Sequence, residues 1–137
     1  MNAASTVRTT RPSILVVEDF DLLRSSVMLW LKSRFPGCLV HGVGSGEAAL
    51  EHARANCPDV VLMDLDLPGI NGLETTTRIK AQAPETAVVM LTMHDTPGHR
   101  LAAANAGATG YVAKLDMEVQ LEAAVGNLLK VRGGNPS

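Results

Sequence analysis

Glu18 and Asp19 stand side by side just after one apolar run, Asp64 follows a second, Thr92 a third and Lys114 a fourth. They offer three carboxylates, a hydroxyl and an ammonium, a set suited to moving a phosphoryl group onto a carboxylate. Three carboxylates in one pocket repel, each pair at about 4 Å costing roughly 4 kcal/mol at an effective dielectric near 20. A divalent cation relieves that repulsion, and an all-oxygen site that retains several waters suits Mg²⁺. The metal would also neutralise charge as the phosphoryl group arrives. A carboxylate is an adequate nucleophile, since aspartyl phosphates are established covalent intermediates. Lys114 can pair with one phosphoryl oxygen, and the Thr92 hydroxyl can hydrogen-bond another.

Each of these residues has a plainer role when taken alone. An Asp after a strand commonly serves a turn or cap, a lone Lys is commonly solvated, and a Thr at a strand end commonly satisfies local backbone. Their weight comes from the elements that must position them. Short apolar runs at Ser13–Val17, Cys38–Val43, Asp59–Met63, Thr86–Leu91 and Thr109–Ala113 have the length and largely β-branched content of strands buried on both faces. Helical stretches separate them. Leu23, Val27 and Leu31 recur at helical spacing, and Ser45 can cap a helix running to about Ala55 with Glu47 in its first turn. A third helix is expected from Gly72 to Gln82, ahead of Pro84, and Pro97 and Gly107 bracket a fourth. Asp116 is expected to cap the last, with Leu121, Val125 and Leu128 on one face.

Five strand–helix units predict an α/β doubly wound domain with a five-stranded parallel sheet in the order 2-1-3-4-5. Strands one, three, four and five are then neighbours, and ligands bind beyond their carboxyl ends. Strand two lies at the edge and ends in Val43-Gly44, which brings nothing reactive. The four chemical strand ends therefore face one crevice.

The bulk composition fits this plan. A chain of 137 residues has room for one ordinary domain. With 46% hydrophobic, 19% charged and 3% aromatic residues, its core must be built from aliphatic side chains. A net charge of −2 argues against direct nucleic-acid binding, which needs a basic patch. Cys38 and Cys57 make no disulfide framework and are expected as buried or half-buried thiols in a reducing compartment. No apolar run reaches the length of a membrane span, and the start lacks a signal-peptide core, so a cytoplasmic location is expected. A flexible arm is expected over 1–11, the domain over 12–131, and a tail or linker start over 132–137.

The segments Leu15-Val16-Val17-Glu18-Asp19, Val61 to Gly72 with Asp64 at its centre, Leu91-Thr92-Met93-His94-Asp95 and Gly107 to Lys114 strongly resemble the CheY-like receiver domains of two-component response regulators. The intervals agree too, 28 residues from Asp64 to Thr92 and 22 from Thr92 to Lys114. Met-His-Asp after Thr92 and Gly-Leu-Glu-Thr after Asn71 look most like receivers of the LuxR/FixJ group. By position, the resemblance implies that Asp64 is the phosphoacceptor and that Asp19, Asp64 and the backbone carbonyl of Asp66 hold Mg²⁺, with Glu18 acting through water. It implies that Thr92 and Tyr111 are a switch pair, that Lys114 binds the phosphoryl group, and that Asp66 and His94 tune its lifetime. Departures are the Glu-Asp acidic pair, Leu115 where a proline often follows the lysine, and an Ala-rich fourth helix.

The resemblance also implies partners: a sensor histidine kinase or phosphotransfer protein as donor, and a homodimer through the face of helix four, strand five and helix five. Activity is expected to be limited to self-catalysed phosphotransfer and autodephosphorylation, with output either through the protein contacts of a free-standing regulator or through control of transcription by a DNA-binding domain outside this sequence. Two rivals share features. Asp64-x-Asp66 matches the core of haloacid-dehalogenase-type phosphatases, but there the nucleophile follows the first strand. An FMN-binding flavodoxin shares the sheet order, but Glu18-Asp19-Phe20-Asp21 would repel its phosphate.

Overall fold

Continuously apolar strands present alternate side chains to the two faces of the sheet, and each face gathers its own helices. In the computed structural model the chain is described over residues 11–133, with side chains to Lys130. Apart from Arg11, the arm expected over 1–11 lies outside the described residues, as do 134–137 of the expected tail. The strands are β1 (Ser13–Val17), β2 (Leu39–Val43), β3 (Val60–Asp64), β4 (Ala87–Thr92) and β5 (Gly110–Ala113). They form one parallel sheet in the expected order, β2-β1-β3-β4-β5. Between them lie α1 (Asp21–Arg34), α2 (Gly46–Asn56), α3 (Gly72–Gln82) and α4 (Pro97–Ala106), with α5 (Met117–Gly133) after the last strand.

Ile14, Val16, Leu62, Val89 and Leu91 pack on one face with Val27 and Leu31 of α1 and Leu121, Val125 and Leu129 of α5. Leu15, Val17, Val61, Met63, Val88 and Met90 pack on the other with Ala49 and Ala53 of α2, Ile79 of α3 and Ala103 of α4. The period-2 alternation of strands thus feeds two cores, a consequence of helices on both sides. Near the end of the last helix Leu129 is buried in the core, whereas Leu128 packs at its margin.

Ser45, Pro97 and Gly107 act as expected, and Asn71 and Thr96 supply two further caps. Ser45 Oγ accepts from Ala48 N at 3.1 Å, and Asn71 Oδ1 from Glu74 N at 2.8 Å. Thr96 Oγ1 caps His99 N ahead of Pro97, while Gly107 ends α4 at φ 104°.

Three expectations need correction. Cys38, Asp59, Thr86 and Thr109 fall outside the strands, while β3 and β4 run on to include Asp64 and Thr92. Side chains tie the early residues down instead: Asp59 Oδ2 accepts from Ser13 N at 2.9 Å, and the Thr86 hydroxyl donates to the Pro58 carbonyl at 2.8 Å. The last helix begins at Met117, directly after Asp116 as expected, but the Asp116 carboxylate engages a side chain rather than the helix's first backbone N–H groups. A 3-10 turn over Lys114–Asp116 leads the chain out of β5, and the Asp116 carboxylate accepts from Gln120 Nε2 at 3.4 Å. Finally, Cys38 is buried but Cys57 is exposed, because it occupies the left-handed cap of α2 at φ 46° rather than a strand. Among the described residues no helix is long and apolar enough to cross a membrane.

Candidate functional site

The site is assembled at the carboxyl edge of four adjacent strands. Parallel register sets Asp64 of β3 beside Leu91, and Thr92 beside Ala113, so Asp64, Thr92 and Lys114 arise from neighbouring chains. Glu18 is reached directly from β1, which pairs with β3. One carboxylate oxygen from each of Glu18, Asp19 and Asp64 lies within 4.8 Å of the others. Glu18 and Asp64 are buried at 3% and 4% exposure, whereas Asp19 is exposed.

Lys114 Nζ joins the two buried carboxylates, 2.9 Å from Glu18 Oε1 and 3.2 Å from Asp64 Oδ1. Asp64 Oδ1 also accepts from Asp66 N at 3.3 Å, so both contacts fall on one oxygen. Glu18 uses both of its own: Oε2 accepts from Phe20 N at 3.1 Å. Arg24 anchors the Glu18 carbonyl at 2.8 Å. The hard, all-oxygen donor set of Glu18, Asp19 and Asp64 fits a Mg²⁺-class ion. Asp19 and Asp66 also border a cleft of about 450 Å³ that continues past Asn71 to His99.

Charge and burial compete here. Burial pushes the Asp64 carboxyl from 3.8 up to about 6; Lys114 pulls it down, Glu18 pushes it up, and the Asp66 N–H pulls it down. Burial opposes the Lys114 ammonium, but the hydrogen bond to Glu18 and the charges of Asp64 and Glu18 outweigh it and raise its pKa.

Gly72 shows how closely the site is built. A Cβ there would lie 2.2 Å from the Asp64 carbonyl oxygen and 2.9 Å from Leu65 Cα, both backbone atoms. The first turn of α3 rests directly on the acceptor's own peptide, with Gly72 N donating to Leu65 O at 3.0 Å. Gly72→Ala must push these apart, and a loss of about 1–3 kcal/mol is expected in urea unfolding.

The remaining expected residues converge on the loop after β4. Thr92 is fully buried, and its Oγ1 accepts from His94 N at 2.9 Å. The Tyr111 hydroxyl donates to the His94 carbonyl. His94 Nε2 meets Asp66 Oδ2 at 2.8 Å, joining the two positions that the resemblance singled out for phosphoryl lifetime. The Lys114–Leu115 peptide is trans, as are all described peptides. Two participants were missed in the sequence. Arg100 stacks its guanidinium 4.7 Å from the Tyr111 ring centroid while pairing with Asp95 at 2.7 Å, and His99 stacks on His94 at 4.9 Å. Their only signal was a position in the first turn after Pro97, which does not reveal that α4 leans over the site.

Comparison with known proteins agrees with this construction. The family model described as response regulator receiver domain matches residues 14–126. Over 101 residues the chain is 39% identical to the transcriptional activator protein ExaE of Pseudomonas putida, covering 74% of this chain and 47% of that one. It is 38% identical over 103 residues to the response regulator UvrY of Escherichia coli K12, with the same shares. The chain thus spans about half the length of these curated relatives. A crystal structure of a LuxR-family two-component response regulator from Aurantimonas sp. SI85-9A1 superposes with a TM-score of 0.79 at 32% identity, over 88% of this chain and 86% of that one.

Proposed function

Because this chain belongs to the response regulator receiver family, we propose that it accepts a phosphoryl group on Asp64 from a sensor histidine kinase or phosphotransfer protein. The observation that carries this reading is Lys114 bridging Glu18 and Asp64 within one three-carboxylate pocket. Asp64 Oδ2, the oxygen outside the Lys114 and Asp66 contacts, attacks phosphorus in line. The phosphorus–nitrogen bond of the donor phosphohistidine breaks, and the departing imidazole keeps that electron pair. Asp19, Asp64 and the Asp66 carbonyl would hold Mg²⁺, and Glu18, both of whose oxygens are engaged, would act through water. When bound, the ion supplies positive charge against the incoming phosphoryl oxygens. Lys114 then turns from Asp64 to a phosphoryl oxygen, and the Thr92 hydroxyl exchanges its backbone contact for another.

The switch follows from that exchange. If Thr92 releases His94 N, the loop that holds the Tyr111 hydroxyl loosens, and Tyr111 can enter the vacated space. Phosphorylation replaces the single carboxylate charge with a group carrying roughly −1.5 to −2 charge and three acceptor oxygens, so a few charge-assisted hydrogen bonds suffice to bias α4, β5 and α5 between two arrangements. The same face would form a homodimer. The Asp66–His94 pair is tied to the acceptor through the Asp66 N–H and would set how readily water hydrolyses the acyl phosphate. No other substrate is expected to be turned over, and a cytoplasmic site of action suits a kinase-fed domain. The matched relatives include one named as a transcriptional activator, which supports an output on transcription through a further domain.

Intact mass spectrometry tests the central step. After incubation with acetyl phosphate or phosphoramidate and Mg²⁺, the protein should gain the mass of one phosphoryl group, and EDTA should prevent it. No gain with several donors would overturn the proposal.

A further inference from the structure

At the opposite edge of the sheet, where the strands begin, the chain carries a second cluster of ligating side chains. His41 of β2 and His52 of α2 face each other with ring centroids 5.1 Å apart and planes inclined by 48°. They line a cavity of about 280 Å³ together with Cys57, Asp59, Asn56 and Arg11. Two imidazoles sharing one tetrahedral ion at a metal–nitrogen distance of about 2.0–2.1 Å have ring centroids roughly 5 Å apart. The observed pair already has that separation.

Chemistry agrees with the spacing. Burial, and then the neighbouring His41, hold His52 below the usual imidazole pKa, which keeps it in the neutral form that binds metals. Cys57 follows His52 by five residues and caps α2 in a left-handed conformation, φ 46°, unusual for a residue with a side chain. Its thiol is exposed at the cavity rather than packed away. The Asp59 carboxylate, 8% exposed and tied to Ser13 N, adds negative charge. Arg11, which also lines the cavity, works against a cation, but its guanidinium donates to the Cys38 carbonyl at 3.4 Å. Nitrogen and sulfur donors select softer ions than the oxygen set around Asp64.

We propose that His41, His52 and Cys57 form a binding site for a zinc-class divalent transition metal, separate from the phosphoacceptor pocket. The imidazole rings already lie at a shared-ion separation and turn their nitrogens onto the ion as it binds; the Cys57 side chain, which does not yet reach them, rotates inward and loses its thiol proton to solvent as it ligates.

Co²⁺ and Zn²⁺ titrated into the full chain in saturating Mg²⁺ provide the test. One equivalent should bind, Co²⁺ giving a tetrahedral visible spectrum and a thiolate-to-cobalt charge-transfer band. Zn²⁺ should slow alkylation of Cys57 by iodoacetamide, with buried Cys38 as the internal reference. His41→Gln and His52→Gln should each weaken Zn²⁺ binding at least about tenfold, the scale on which even outer-shell partners matter, and remove the protection. Cys57→Ser should lose the charge-transfer band. His41 is exposed and His52 half-buried, so circular dichroism should show both Gln variants folded. The proposal is overturned if Zn²⁺ does not bind, or if binding and protection persist in both histidine variants. Loss of binding on Asp64→Asn instead would also overturn it, by placing the ion in the acidic pocket.

Discussion

Asp64→Asn should gain no phosphoryl mass under conditions that fully modify the wild type, and with EDTA present it should melt at a higher temperature than the wild type at pH 7.5. The first effect follows from chemistry: a carboxamide lacks the anionic oxygen that attacks phosphorus. The second follows from burial. The folded state keeps the Asp64 proton up to about pH 6, whereas the unfolded chain releases it near 3.8. Between those values the folded protein binds more protons, so this residue's contribution to stability falls as pH rises and levels off above about 6. The Asn variant escapes that decline. Its advantage should therefore be largest at neutral pH and vanish on acidification towards pH 4. Thermal melts across pH 4 to 8 read both limbs, and an Asn variant less stable than wild type at pH 7.5 would contradict the charge argument. Adding Mg²⁺ should narrow the gap, because the ion binds the folded wild type through the carboxylate that the variant lacks.

The same site explains why so much was legible beforehand. Glu18, Asp19, Asp64, Thr92 and Lys114 each end an apolar run, and strand order alone forces such ends together. Continuous apolar runs, the cap at Ser45, and Pro97 and Gly107 at the two ends of α4 are local signals, so the elements came within a residue or two of their observed bounds. What escaped was set by conformation between elements. Nothing in the spacing shows that the loop after β4 brings His94 to Asp66, or lays Arg100 over Tyr111. Those contacts depend on the path of residues 93–96 and on the tilt of α4, which local sequence does not encode. The turn at Lys114–Asp116 was hidden for the same reason: a cap residue marks where a helix can begin, as α5 does at Met117, but not that the chain takes a 3-10 turn between β5 and that start. Likewise His41 and His52 lie eleven residues apart on a strand and a helix, and only the packing of α2 against the sheet makes them neighbours.

Lys114→Met separates the two cationic duties of the pocket. In the wild type its ammonium lies between Glu18 and Asp64, both nearly inaccessible to solvent. Methionine preserves much of the buried stem but leaves two carboxylates facing each other without a counter-ion. Breaking a buried pair by removing one partner costs about 3–5 kcal/mol, and a loss on that scale is expected in urea unfolding with EDTA present. Mg²⁺ should restore a larger part of stability in this variant than it adds to the wild type, since the carboxylates then depend on the metal alone. Phosphorylation should not recover in parallel. The ion cannot replace a donor aimed at the phosphoryl oxygens, and loss of one such electrostatic contact lowers rates by about 10²–10³. A variant stabilised by Mg²⁺ yet slow to gain phosphoryl mass is therefore the expected result. If Mg²⁺ restored both equally, Lys114 would be only a counter-ion for the resting carboxylates; if removing it left the unstimulated fold unchanged, the bridge to Glu18 and Asp64 would carry no structural weight.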